Sequence, residues 1–160
     1  MTQKYELTVE RRLDARPEGL TRAWTDPELI KQWWCPRPYE TTECEIDLRP
    51  GGRFFTRMRG PDFDFAGESC ILEVVPGRRI VWTSALLGGF VPRDFAGDGS
   101  EGFPFTAIHE FEDDGAGGTH YKATVRHRSE TDRDAHAAMG FAGGWATCAE
   151  QMAEVARTIA

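Results

Sequence analysis

No apolar run in this chain of 160 residues approaches the roughly 20 consecutive residues that a bilayer-spanning helix requires. The opening Met1-Thr-Gln-Lys-Tyr likewise lacks the apolar stretch of a secretory leader, so the expected location is the cytoplasm. Positive charge is short: Lys and Arg total 19 against 26 Asp and Glu, a formal net charge of −7. That balance argues against duplex nucleic acid as a partner, because phosphate neutralisation needs cations, and against an anionic membrane surface. The four cysteines, Cys35, Cys44, Cys70 and Cys148, form no Cys-x-x-Cys pair and read as reduced thiols packed as small apolar groups. A Gly-x-Ser-x-Gly elbow and a Gly-x-x-x-x-Gly-Lys phosphate loop are both missing, which leaves covalent acyl transfer and nucleotide hydrolysis without their machinery. With no internal repeat and no long linker, the length suits one domain over residues 1–160.

The patterning that is present alternates between two periods. Lys4 to Leu13 places Tyr5, Leu7, Val9 and Arg11 on one parity and predicts a strand with one buried face. Two helix starts follow, each with a proline in the first turn: Arg16-Pro17-Glu18 and Asp26-Pro27-Glu28, the latter with Asp26 as a capping acid. From Cys44 to Thr83, alternating segments are cut by Arg49-Pro50-Gly51-Gly52, Gly60-Pro61-Asp62 and Val75-Pro76-Gly77-Arg78, the signature of an antiparallel meander. Leu86 to Gly102, rich in glycine and acidic residues, reads as a long mobile loop suited to act as a lid. A hairpin of Phe105–Phe111 and Thr119–His127 gathers its apolar groups best when Phe105, Ala107, His109 and Phe111 share a face with Tyr121, Ala123 and Val125. That register puts His109 indoors, with Tyr121 as its cross-strand neighbour.

Ser129-Glu-Thr-Asp132 then caps a last helix, and Phe141, Trp145, Cys148, Met152, Val155 and Ile159 recur at steps of three and four. The expectation is one long amphipathic helix, with Gly140, Gly143 and Gly144 inside it. Each glycine there costs about 0.5–1 kcal/mol relative to alanine, so the missing side chains either admit another backbone or leave room for a ligand. The order of elements predicts an α+β fold: two short helices after the first strand, then a curved antiparallel sheet of six or seven strands wrapped around the C-terminal helix, a helix-grip arrangement.

Five motifs in order carry a resemblance: Trp24-Thr-Asp-Pro27-Glu-Leu-Ile-Lys-Gln-Trp33-Trp34, Asp47-Leu-Arg-Pro50-Gly51-Gly52-Arg53-Phe, Gly67-Glu-Ser-Cys-Ile-Leu-Glu73-Val-Val-Pro76, Arg79-Ile-Val-Trp82-Thr, and Met139-Gly140-Phe141 with Gly144-Trp145. Over nearly its whole length the chain resembles bacterial proteins similar to the C-terminal domain of the activator of the heat-shock-protein-90 ATPase, within the START-like or SRPBCC superfamily. Carried over residue by residue, the resemblance implies a pocket with Trp33 and Trp34 near its mouth, Phe55, Phe65 and Trp82 on the sheet, and Phe141 and Trp145 on the helix.

Beside those ring residues stand Phe105 and a polar pair, His109 with Tyr121, able to orient a ligand carbonyl or hydroxyl or to move a proton. His109, His120, His127 and His136 lack the spacing of common zinc sites, so neither a metal nor a cofactor is expected. Asp64 and Glu68 share a strand parity, but Asp62 and Asp64 flank a turn and read as solvated instead of as members of a catalytic carboxylate pair. The leading expectation is binding of a small hydrophobic or aromatic ligand in a cavity between sheet and C-terminal helix. Two alternatives stand beside it: a polyketide cyclase or dehydratase-like enzyme using His109 or Tyr121, and a chaperone-related protein-interaction module. Expected partners are a small apolar ligand first, with a homodimer or a chaperone as further candidates.

Overall fold

The computed structural model describes residues 5–95 and 102–159. Its strands are β1 (Glu6–Leu13), β2 (Glu40–Ile46), β3 (Arg53–Gly60), β4 (Phe63–Val75), β5 (Arg79–Thr83), β6 (Leu86–Leu87), β7 (Val91–Pro92), β8 (Phe105–Asp113) and β9 (Thr119–His127). The helices are α1 (Pro17–Arg22), α2 (Pro27–Ile30), α3 (Glu130–Ala138) and α4 (Phe141–Thr158). Among the described residues, seven strands form one antiparallel sheet in the order β1-β9-β8-β5-β4-β3-β2, and β6 and β7 form a separate pair. The helix-grip architecture expected from the sequence is the one observed. No described helix is long and apolar enough to cross a membrane.

Local chemistry sets these boundaries. Pro17 and Pro27 open α1 and α2, and the Asp26 carboxylate accepts the Glu28 N–H at 2.8 Å. Between β2 and β3 the chain turns so tightly that a Cβ on Gly52 would lie 1.8 Å from the Asp47 carbonyl oxygen, so only glycine fits. Ser129 caps α3 by accepting the Asp132 N–H at 3.2 Å, and buried Asp132 is held by Arg128 at 2.6 Å.

The single long helix expected at the C-terminus is two. Gly140 has φ +87°, a left-handed conformation that ends the run after α3 and serves as the N-cap of α4. Gly143 and Gly144 therefore lie in the first turn of α4, not deep in a helix, and a Cβ on Gly143 would touch nothing within 4 Å. Close backbone packing is not their reason. Beyond them α4 buries Phe141, Ala149, Met152, Ala153, Val155 and Ala156 against β1 and α1, with a Cβ on Gly19 only 3.6 Å from that of Ala156. Small residues on this stripe let the helices approach; Trp24, Leu13, Leu20, Ile71, Ile80 and Met152 fill the center of the core.

The expectation of a mobile loop over 86–102 is corrected for its first part. Residues 86–95 carry the β6–β7 pair, and the Glu68 side chain of β4 accepts the Gly88 N–H at 3.1 Å while the Arg93 guanidinium donates to the Glu68 carbonyl at 2.7 Å. Burial pushes the Glu68 carboxyl up, but the Arg53 guanidinium, the Gly88 N–H and the charge of Arg93 together outweigh it and hold the carboxyl below its ordinary range. The remainder, 96–101, lies outside the described residues.

Candidate functional site

Alternation along the central strands decides which side chains face α4. On β5, Ile80 and Trp82 point inward; on β8, Phe105, Ala107, His109 and Phe111; on β9, Tyr121, Ala123, Val125 and His127. Trp82 pairs with Ala107, and His109 pairs with Ala123, so each large ring stands over a small neighbour on the next strand. The space above the alanines is taken by Trp145 from α4. Its ring lies nearly parallel to His109 at 5.9 Å and to Trp82 at 6.4 Å. Trp82 is also met by Phe54 at 5.7 Å, Trp34 at 5.8 Å and Phe105 at 5.4 Å, and Phe141 packs on Trp145 at 4.9 Å. The rings of Trp82, Phe141 and Trp145 thus touch in a chain instead of standing apart around a void. Trp34, Phe105 and Trp145 are half-buried, so this aromatic seam between sheet and helix has an edge in solvent.

Two hydrogen-bonded systems run under the seam. The Trp82 indole N–H donates to His109 Nε2 at 2.9 Å, and since an indole has no other role, that nitrogen carries no proton. Neutral His109 must then hold its proton on Nδ1 and donate it to the Tyr121 hydroxyl at 2.7 Å. Tyr121 is the diagonal neighbour; the residue directly opposite His109 is Ala123, and Tyr121 stands opposite Phe111, which corrects the expected pairing. Burial pushes the His109 pKa down to about 3 and that of Tyr121 upward, so both are neutral at physiological pH. In the second system His127 Nδ1 faces the Tyr5 carbonyl at 2.9 Å and must donate to it, leaving His127 Nε2 to accept from His136 Nδ1 at 2.9 Å. Burial, with His127 alongside, brings the His136 pKa down to about 4.

Of the residues expected to line a pocket, Trp34, Trp82, Phe105, His109, Tyr121, Phe141 and Trp145 come together at the seam. Three do not. Trp33 is only 3% exposed and lies in the core beside Trp24, its indole N–H donating to the Ala23 carbonyl at 3.1 Å, so it is not at a mouth. Phe55 is on the opposite face of the sheet, under the Arg53 guanidinium at 4.8 Å and among the ion pairs of Arg53 and Arg57; the inward ring is Phe54. Phe65 has inward parity but lies where the β3–β4 hairpin reaches past the helix, 52% exposed and stacked on Phe63 at 6.4 Å, and no ring contact links it to the seam.

The chain matches the family model described as activator of Hsp90 ATPase homolog 1-like protein over residues 14–157. It belongs to that family. Among solved structures, a protein of Nitrosomonas europaea is 33% identical, with a TM-score of 0.88 over 99% of this chain and 98% of that one. Proteins of Mycobacterium smegmatis (23% identity, TM-score 0.76, covering 94% of this chain and 90% of that one) and Rhodobacter sphaeroides (20%, 0.78, covering 100% and 98%) share the fold. No curated protein is a match. Within this family member, sequence reasoning missed Phe54, His127 and His136 as parts of the seam. The parity of Arg53, Arg57 and Arg59 with Phe55 was the available signal for Phe54; the meeting of His127 with His136 depends on the turn between β9 and α3 and had none. Among the described residues no three His, Cys, Asp or Glu side chains are grouped to hold a metal ion.

Proposed function

We propose that this family member binds a small apolar or aromatic molecule at the seam between the sheet and α4. One observation carries the reading: three half-buried rings from three separate segments, Trp34 after α2, Phe105 of β8 and Trp145 of α4, converge on the buried Trp82. They do so beside Gly143 and Gly144, where the helix presents no side chain and Gly144 has only Pro36 within reach, at 4.0 Å from an added Cβ. An apolar ligand enters by displacing the half-exposed Trp34 or Trp145 ring and stacking in its place. Proton transfer at His109 has less support, because the nitrogen that would act as base already receives the Trp82 N–H. Titration of the full chain with naphthalene, read by tryptophan emission and by indole N–H signals in nuclear magnetic resonance spectra, tests the proposal. Saturable binding that shifts Trp34, Trp82 and Trp145, is weakened by Trp145→Ala and is untouched by Phe65→Ser supports it; absence of saturable binding refutes it.

A second reading, a protein-interaction module, is favoured by a separate feature. Tyr39, Phe63 and Phe65, at 44%, 44% and 52% exposure, form an aromatic row on the projecting hairpin. Loss of naphthalene binding in Phe65→Ser but not in Trp145→Ala would move the ligand site to that row.

A further inference from the structure

Resting on that reading of the seam, we infer that its ligand carries a hydrogen-bond donor on an aromatic ring, a phenolic hydroxyl or a ring N–H, and that His136 Nε2 receives it. The inference follows from counting protons along the second hydrogen-bonded system. A carbonyl only accepts, so the proton of neutral His127 is fixed on the nitrogen facing Tyr5, and the proton of neutral His136 is fixed on the nitrogen facing His127. What is left on His136 is a lone pair at Nε2, on the edge of the ring turned away from His127. It has no partner among the described residues. His136 is 7% exposed, and its ring touches Phe105 at 4.9 Å, Phe141 at 5.1 Å and Trp145 at 6.0 Å, which places the lone pair at the border of the seam.

Most other side-chain acceptors of the region are engaged, and the polar groups at its edge that are unpaired among the described residues, the indole N–H groups of Trp34 and Trp145, are donors. His109 Nε2 takes the Trp82 proton, the Tyr121 oxygen takes that of His109, and the Cys148 thiol donates to the Trp34 carbonyl at 3.2 Å. The Trp24 indole N–H is unpaired but fully enclosed, whereas His136 Nε2 is not among the fully enclosed unpaired atoms. An open acceptor at the border of the seam favours a ring with a proton to give over the same ring without one, and the neutral state of both histidines disfavours a carboxylate in that place.

The test compares 2-naphthol, 2-methoxynaphthalene and naphthalene on the full chain, in the wild type and in His136→Asn. The asparagine amide keeps a donor toward His127 but offers no acceptor where Nε2 was. The expected result is that the wild type binds 2-naphthol about tenfold more tightly than 2-methoxynaphthalene, the worth of one hydrogen bond. In His136→Asn the preference disappears: the ratio of naphthol to ether affinity falls to about one, whatever the change in naphthalene affinity from the lost ring. The nitrogen signal of His136 Nε2 moves toward the hydrogen-bonded range when naphthol, and not its ether, is added. Equal affinity of the wild type for naphthol and its methyl ether overturns the inference and leaves seam binding standing, whereas failure of all three compounds to bind removes both.

Discussion

Gly144→Ala separates a glycine that makes room from one that packs. The backbone at this position is already helical, with its N–H donating to the Gly140 carbonyl at 2.9 Å. An added methyl group would have only Pro36 Cγ near it, at 4.0 Å, an ordinary van der Waals distance. No clash opposes the gain in helix propensity, about 0.5–1 kcal/mol in a helix interior and nearer the lower value in a first turn. For a domain of this length 1 kcal/mol moves the melting temperature by about 2–4 °C, so the variant should melt about 1–2 °C above the wild type in a calorimetric scan. The same methyl group occupies space at the rim of the seam, next to Trp145, and naphthalene affinity should fall several-fold. Gly140→Ala is the contrasting control: at φ +87° the side chain is strained, at a cost of about 1–2 kcal/mol and a melting temperature lower by several degrees. A Gly144→Ala protein that melts below the wild type would refute the steric argument, and one that is stabilised yet binds naphthalene unchanged would refute the link between the glycine and the ligand.

Tyr121→Phe leaves the His109 Nδ1 proton without its acceptor in a fully buried position and should cost about 1–3 kcal/mol, seen as a lower urea midpoint with an unchanged slope. Acid should destabilise the protein through its histidines. The folded-state pKa values of His109 and His136, about 3 and about 4, lie below the ordinary 6.5, so the unfolded chain takes up protons first as pH falls through 6.5 and stability declines from there toward pH 4. By pH 4.5 each histidine accounts for roughly 2–3 kcal/mol, and urea midpoints between pH 4.5 and 7.5 should show a shallower decline in His136→Asn than in the wild type. Phe65→Ser, on an exposed ring, should change stability by no more than about 0.5 kcal/mol; a larger loss in thermal denaturation would mean that the projecting hairpin is a structural support.

Strand parity and turn residues made most of the fold legible. Gathering Phe105, Ala107, His109 and Phe111 with Tyr121, Ala123 and Val125 predicts the face these groups share, and the observed register puts them on one face, although it sets His109 opposite Ala123 and not Tyr121. Pro17 and Pro27 marked both short helices correctly. The errors have separate causes. Apolar periodicity continues through Gly140, so the spacing alone does not reveal that α3 and α4 are separate; only the backbone angle of one residue does. Phe65 has the parity of an inward residue, but parity does not say where the covering helix stops. Phe55 shares its side of the strand with Arg53 and Arg57, which pair with Glu68 and Asp64, and those charged neighbours mark the outer face of the sheet. The anchoring of residues 86–95 by Glu68 joins segments 20 positions apart in sequence, and glycine content near Gly88 gave no hint of it.

The ring contacts described for the seam have an optical consequence. Each of the five tryptophans lies within about one ring spacing of another: Trp24 meets Trp33 at 5.0 Å and Trp34 at 5.6 Å, Trp34 meets Trp82 at 5.8 Å, and Trp82 meets Trp145 at 6.4 Å. At such separations the indoles exchange excitation faster than they emit, and light absorbed by the enclosed Trp24 or Trp33 leaves through the ring of lowest energy. The two candidates for that exit, Trp34 and Trp145, are the half-exposed pair at the edge of the seam. The protein is thus wired as a single chromophore whose output sits where a ligand would arrive, and one quenching molecule there should darken all five rings at once.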